Sequence, residues 1–302
     1  MNSVFNQKIN IKFPNNISLV IKREDLIHPF VSGNKFRKLK YNLLQAKAEN
    51  KEIVLTFGGA FSNHIAAVAY AGKEQDFKTI GIIRGDELLD KWEENPTLKF
   101  AHENGMHFEF VSREDYRLKS EISFIEKLKQ KFGDFYLVPE GGTNELAVKG
   151  CEEILTEEDS DFNYVCCAVG TGGTISGLIK SAKENQRILG FPALKGDFLQ
   201  DEIRIFAKKD NWNLISDYHF GGYGKVNLEL IEFINSFFEE TNVPLDPIYT
   251  GKMVFGVIDL INKKYFPENS KILLIHTGGL QGIEGMNLKL KQKKLPILKT
   301  ND

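Results

Sequence analysis

Short apolar runs of strand length alternate along this chain with longer stretches in which apolar positions recur every three or four residues. The runs 17–22, 53–57, 79–83, 107–111, 135–138 and 164–169 read as strands, with a later one at 272–276. Between them the helical period predicts helices over 38–49, 62–73, 96–104, 113–132, 145–155 and 173–185. Alternation at this spacing is that of βαβ units, so the expected fold class is α/β with mostly parallel sheets sandwiched by helices. No internal repeat interrupts the pattern, and the Lys-rich stretch 289–299 reads as a solvated end.

Composition narrows the class of partner. A chain of 302 residues, 42% hydrophobic, can bury a large core and is expected to form two domains. With 39 basic and 41 acidic residues the net charge is -2, which gives no electrostatic case for nucleic acid or a membrane surface. No apolar run approaches a membrane span and the first ten residues lack an apolar signal core, so a cytoplasmic protein acting on a small molecule is expected. Cys166 and Cys167 are adjacent in a buried strand and so point to opposite faces; with Cys151 they are expected to be structural thiols. The histidines lack metal-ligand spacing, and no metal is expected.

Candidate chemistry lies at the turns. In Ser32-Gly33-Asn34-Lys35-Phe36-Arg37-Lys38 a glycine turn runs into a helix, so Lys35 meets the positive helix end and the cations Arg37 and Lys38. These disfavour a charged ammonium and favour a nucleophilic amine. The same residues also fit a solvated lysine at a basic helix start. Three glycine-rich turns follow strands. Gly58-Gly59-Ala60-Phe61-Ser62-Asn63-His64 opens an Ala-rich helix whose free N–H groups attract a carboxylate, and Ser62 also fits an N-cap. Gly170-Thr171-Gly172-Gly173-Thr174 makes an N–H nest suited to a phosphate, without a third glycine for a dinucleotide fingerprint and without the GK[ST] of a P-loop. His276-Thr277-Gly278-Gly279 ends the last strand. An activated lysine, a carboxylate site and a phosphate nest are what a pyridoxal phosphate enzyme acting on amino acids must supply.

These motifs, taken in order with Asp246-Pro247-Ile248-Tyr249-Thr250-Gly251-Lys252, resemble the family of 1-aminocyclopropane-1-carboxylate (ACC) deaminases and D-cysteine desulfhydrases over nearly the whole chain. The resemblance implies fold type II of the pyridoxal phosphate enzymes, in the tryptophan synthase β-like group. Two three-layer α/β/α domains are then expected, a large one of residues 1–48 plus 156–302 and a small inserted one of 49–155, with the active site in the cleft between them. It implies pyridoxal 5'-phosphate joined through its aldehyde to Lys35, and its phosphate held by Gly170, Thr171, Gly172, Gly173 and Thr174 with Lys38 nearby. It further implies Asn63 at the pyridine 3-oxygen, Thr250 and Thr277 at the ring, Ser62, Asn63 and His64 at the substrate, and Ser62, Tyr249 and Tyr223 as catalytic groups. A homodimer is likewise implied.

The match has departures. Where these relatives carry Arg-Gln shortly after Ser-Asn, this chain has Ile65-Ala66-Ala67. Thr250 stands where the deaminases have a glutamate, and Thr250, His64 and Thr277 resemble the desulfhydrase pattern. The expected activity is therefore conversion of D-cysteine to pyruvate, sulfide and ammonia. ACC deamination to 2-oxobutanoate is the alternative within the family, and a non-catalytic cofactor- or nucleotide-binding protein the alternative outside it.

Overall fold

The computed structural model describes residues 3–300. In chain order the elements are β1 (Asn6–Lys8), β2 (Ser18–Lys22), α1 (Asn34–Ala48), β3 (Ile53–Gly58), α2 (Asn63–Glu74), β4 (Lys78–Arg84), α3 (Pro96–Glu103), β5 (Met106–Val111), α4 (Ile122–Phe132), β6 (Tyr136–Val138) and α5 (Glu145–Glu152). They continue with β7 (Tyr164–Val169), α6 (Gly173–Ser181), β8 (Arg187–Pro192), α7 (Phe198–Phe206), β9 (Trp212–Leu214), α8 (Leu228–Thr241), α9 (Thr250–Asn262), β10 (Lys271–Ile275) and α10 (Gly282–Gln292).

The strands form two sheets, one ordered β1-β2-β10-β7-β8-β9 and the other β5-β4-β3-β6. Every pairing is parallel except that of β1 with β2. Both sheets are covered on both faces, as parallel sheets must be. On the larger sheet Cys166 faces the core of α8, α9 and α10, with Leu230, Val254 and Met286, while Cys167 faces that of α5, α6 and α7, with Cys151, Ile175 and Leu199. All three thiols are free and buried. On the smaller sheet Val54 packs with Leu39 and Leu43 of α1, Ile65 and Val68 of α2 and Leu98 of α3. Leu55 and Phe57 pack on the other face with Tyr116 and with Leu128 of α4. The α/β class with mostly parallel sheets therefore holds.

Several boundaries differ from expectation. The predicted helix 113–132 is a short 3-10 turn at Asp115–Leu118 followed by α4 from Ile122, because Tyr116 turns inward and gives its hydroxyl to Glu140 at 2.8 Å. The helix predicted to reach 185 stops at Ser181, where Ala182 is extended and the Lys209 ammonium takes the carbonyls of Lys180 and Ala182. Gln186 then leads into β8, an unanticipated strand over Ile188-Leu189-Gly190. Helices α7 to α10 and strands β1 and β9 were not anticipated either.

What positions the site is the direction of the strands. Ligands of open α/β sheets gather at the carboxyl ends of the strands. Here two such ends meet: the turn after β6 touches the turn after β7 through a 2.6 Å bond between the hydroxyls of Thr143 and Thr171. Among the described residues no helix is long and apolar enough to cross a membrane.

Candidate active site

Helix α1 carries the central cations. Lys35 and Lys38 are three residues apart and so share one helix face. The helix can start where it does because Gly33 has a φ of 59°, and a Cβ there would lie 2.0 Å from the carbonyl oxygen of Thr277. That carbonyl also accepts the Asn34 N–H at 3.2 Å, so the loop after β10 and the start of α1 lock together. The Lys35 pKa is lowered to about 7, chiefly by burial and next by the charge of Lys38. The expected contribution of Lys38 holds, but burial outweighs it, and Arg37 is not among the causes: Glu24 binds its guanidinium through two 2.9 Å bonds.

Lys38 is 2% exposed and pairs with no carboxylate among the described residues. Its ammonium donates to the carbonyl of Gly141 and the hydroxyl of Thr143, both at 2.9 Å, and to that of Thr171 at 3.4 Å. Burial lowers its pKa to about 8. A Cβ on Gly173 would stand 3.1 Å from this ammonium and 2.8 Å from the Thr143 hydroxyl. Gly172, with a φ of 82°, caps α6, so the first N–H groups of that helix open onto the same spot. The two threonine hydroxyls share one proton in their mutual bond, which leaves the other proton uncommitted. A buried cation without an anion, a helix start and a free hydroxyl proton form an anion cradle.

The remaining expected residues separate into groups. Ser62 caps α2, accepting the Ile65 N–H at 3.4 Å, and its own proton is not used among the described residues. The Asn63 amide makes no side-chain hydrogen bond among the described residues and borders Gly279, where a Cβ would come within 2.7 Å of Nδ2. Tyr249 lies over Gly170, whose Cβ would be 3.2 Å from the ring. Its ring centroid is 6.1 Å from that of Tyr223, and burial holds both phenols above their ordinary pKa, hence protonated. Thr277 is 7% exposed, and its hydroxyl makes no hydrogen bond among the described residues.

Three residues are engaged elsewhere. His64 turns toward the smaller sheet, with Nε2 2.8 Å from the Thr56 hydroxyl; its Nδ1 is buried without a partner, and burial together with Lys35 and Lys38 holds the ring neutral. Thr174 accepts a 2.8 Å bond from the Asn34 amide, so its hydroxyl faces α1. The Thr250 hydroxyl, expected at the ring nitrogen, donates to Asp246 at 2.6 Å and accepts the Asp246 N–H at 3.0 Å. The Asp246 carboxylate is in turn fully engaged, accepting the N–H groups of Ile248, Tyr249 and Thr250 at 2.9, 2.8 and 2.8 Å.

Sequence reasoning missed Thr143 and Asp246. For Thr143 a signal existed, since Glu140-Gly141-Gly142-Thr143 is a fourth glycine-rich turn after a strand. For Asp246, an Asp-Pro turn ahead of an apolar run is a turn signal, but α9 was not foreseen.

A desolvated amine and an anion cradle built on a buried ammonium of the same helix face, at the carboxyl edge of parallel strands, fit pyridoxal phosphate. They define the molecule as a pyridoxal phosphate enzyme of the α/β fold type II class. The pyridoxal-phosphate dependent enzyme family model matches residues 10–278. A bifunctional D-cysteine desulfhydrase/1-aminocyclopropane-1-carboxylate deaminase of Arabidopsis thaliana is 32% identical over 300 residues, covering 89% of this chain and 74% of that protein. A 1-aminocyclopropane-1-carboxylate deaminase of Rhizobium rhizogenes is 28% identical over 306 residues, 89% of each chain. The crystal structure of an ACC deaminase homologue superimposes with a TM-score of 0.82 at 28% identity, covering 97% of this chain and 94% of that one. The chain belongs to the ACC deaminase and D-cysteine desulfhydrase family of pyridoxal phosphate-dependent enzymes.

Proposed function

We propose that this enzyme converts D-cysteine, or a closely related small D-amino acid with a β-leaving group, to pyruvate, ammonia and, from D-cysteine, sulfide. The observation that carries this choice is the closed Asp246–Thr250 pair: the Asp246 oxygens are taken up by four donors and the Thr250 proton by Asp246, so neither group is left to hydrogen-bond a ring nitrogen held at the start of α9. Bound pyridoxal phosphate supplies an electron sink for negative charge at the substrate Cα. A nearby carboxylate would deepen that sink by favouring a protonated ring nitrogen. A thiol of pKa about 8.5 leaves as a tolerable anion without such help, whereas opening a cyclopropane places charge on carbon. The products balance with one water: D-cysteine plus water gives pyruvate, hydrogen sulfide and ammonia.

The chain's own groups take the following roles in this proposal. Lys38, Thr171, Gly172 and Gly173 hold the cofactor phosphate, with Thr143 beside them. Lys35 carries the cofactor and, with its pKa lowered to about 7, can take and return the Cα proton near neutral pH. The start of α2 at Ser62 and Asn63 receives the substrate carboxylate. Tyr249 and Tyr223, both protonated, offer hydrogen bonds or a proton to the departing group. We further propose that the enzyme works as a cytoplasmic homodimer.

The second candidate, ACC deaminase, is favoured by the names of both relatives, one of which carries both activities in its name. Release of pyruvate and of 2-oxobutanoate, measured over D- and L-amino acids plus ACC, decides between them. The expected result is a higher kcat/KM for D-cysteine, and a higher value for ACC would overturn the assignment.

A further inference from the structure

Tyr223 sits on a loop with little backbone rigidity of its own. Phe220, Gly221, Gly222 and Gly224 all have positive φ, at 52°, 92°, 113° and 66°. Glycines at such angles lose more conformational freedom on ordering than other residues, so something must hold the loop. Its internal bonds are short-range: the Gly222 N–H donates to the His219 carbonyl at 3.0 Å, the Lys225 N–H to the Gly222 carbonyl at 3.2 Å, and the Gly221 N–H to the His219 Nδ1 at 2.9 Å.

Both of those carbonyls also receive the same ammonium. Lys252, 2% exposed on α9, donates from Nζ to His219 O and to Gly222 O, each at 2.9 Å. It forms no ion pair among the described residues. A buried ammonium without a carboxylate is unfavourable unless its donors are satisfied, and here the loop carbonyls satisfy it. The same helix begins directly after Tyr249, and its Phe255 packs edge-on against Phe220 of the loop with centroids 5.0 Å apart. One rigid element therefore sets Tyr249 at its start and grips the Tyr223 loop from its first turns.

We propose that Lys252 is a positioning residue for the tyrosine pair: it ties the 219–222 loop to α9 so that Tyr223 is held against Tyr249. The proposal rests on the assignment of Tyr223 and Tyr249 to the substrate side of the site. Lys252 touches neither phenol and acts through the loop backbone.

The test uses the cofactor-loaded enzyme and Lys252→Met, which keeps the chain length and removes the donors; Lys252→Gln replaces it if Met does not fold. Amide hydrogen exchange should accelerate in 219–224, with helix α1 around Lys35 unchanged. Turnover of D-cysteine should fall in kcat by about tenfold or more, with KM changed far less, as expected when a reacting group is misplaced rather than a binding site lost. In a double-mutant cycle with Tyr223→Phe the two losses should not add, because both act through one phenol. Unchanged exchange in 219–224 would overturn the clamp. Additive losses would overturn its link to Tyr223. Full activity of Tyr223→Phe alone would remove the tyrosine assignment, and the exchange experiment reads the clamp independently of that result.

Discussion

Lys38 and Tyr223 mark two regions of the site that are held in different ways. Around Lys38 the parts are held by a buried cation on a helix and by short turns: the ammonium is 2% exposed and bonded to the turns after both β6 and β7. Tyr223 is 43% exposed and rides on a glycine loop gripped from one side by Lys252. In the proposed assignment the first region holds the cofactor phosphate, and rigidity suits a cradle whose guest never changes, while the second faces what differs between substrates. Loops carry specificity because they can change without disturbing the scaffold.

The sharpest break of this comparison is at Lys35, which belongs to the rigid region. Lys35→Ala should abolish turnover and leave no cofactor attached after borohydride reduction, while circular dichroism shows a retained fold. Residual turnover near the wild-type level would remove Lys35 from its role. The same variant has a second, cofactor-free signature. The folded Lys35 pKa lies near 7 against an ordinary 10.5, so between these values the unfolded chain binds a proton that the folded one does not. Stability of the cofactor-free protein must then rise with pH across that window. Lys38 and Lys252, each lowered to about 8, act in the same direction from there upward. Urea unfolding at pH 7 and pH 9 should therefore show a smaller gain in Lys35→Ala than in wild type.

Gly173→Val attacks the cradle with a smaller effect. Its Cβ would stand 2.8 Å from the Thr143 hydroxyl and 3.1 Å from the Lys38 ammonium, so the side chain fills the anion position. Cofactor affinity should fall by about 100-fold, roughly the worth of two charge-assisted hydrogen bonds. Equilibrium dialysis of the folded variant checks this, and unchanged binding would mean the phosphate sits elsewhere. A matching Gly221→Ala change in the Tyr223 loop should leave cofactor affinity alone, since a Cβ there meets nothing closer than Lys225 at 3.6 Å.

The same division explains what could be read from the chain alone. Gly33-Asn34-Lys35 and Gly170 to Thr174 were legible because their meaning is local: a glycine turn, a helix start and a cation within a few residues. The αβ alternation up to β7 was legible for the same reason. Thr143 joins the cradle only because two strands from different sheets end side by side, and Lys252 meets its loop across 30 or more residues of chain. Helices α8 and α9 are so apolar that their period is blurred, with Leu230, Ile231, Ile234 and Phe237 in one and Met253, Val254, Val257, Leu260 and Ile261 in the other all buried. Thr250 shows the limit most clearly. Its identity was read from the chain, but its hydroxyl bond to Asp246 was not, and that bond changes what the residue can offer a ligand.

The smallest expected effect is also the one that tests the line between the two regions. Thr250 is fully buried at the start of α9, directly after Tyr249, and its hydroxyl is one of the donors that bind the Asp246 carboxylate. Thr250→Glu brings in the carboxylate that the deaminases have at this place, but it removes that donor and sets two acids together. Loss of the bond and the like charge should destabilise the fold by about 2 kcal/mol, read as a lower thermal midpoint. If the new carboxylate reaches the ligand, the ratio of kcat/KM for ACC over D-cysteine should rise, without the variant becoming a good deaminase. Asp246→Asn in the same chain removes the like charge and keeps a carbonyl acceptor for the backbone N–H groups, so the double variant should regain part of the stability and keep the altered ratio. An unchanged ratio in both folded variants would mean that substrate choice does not lie at the start of α9, and would move it to the Tyr223 loop.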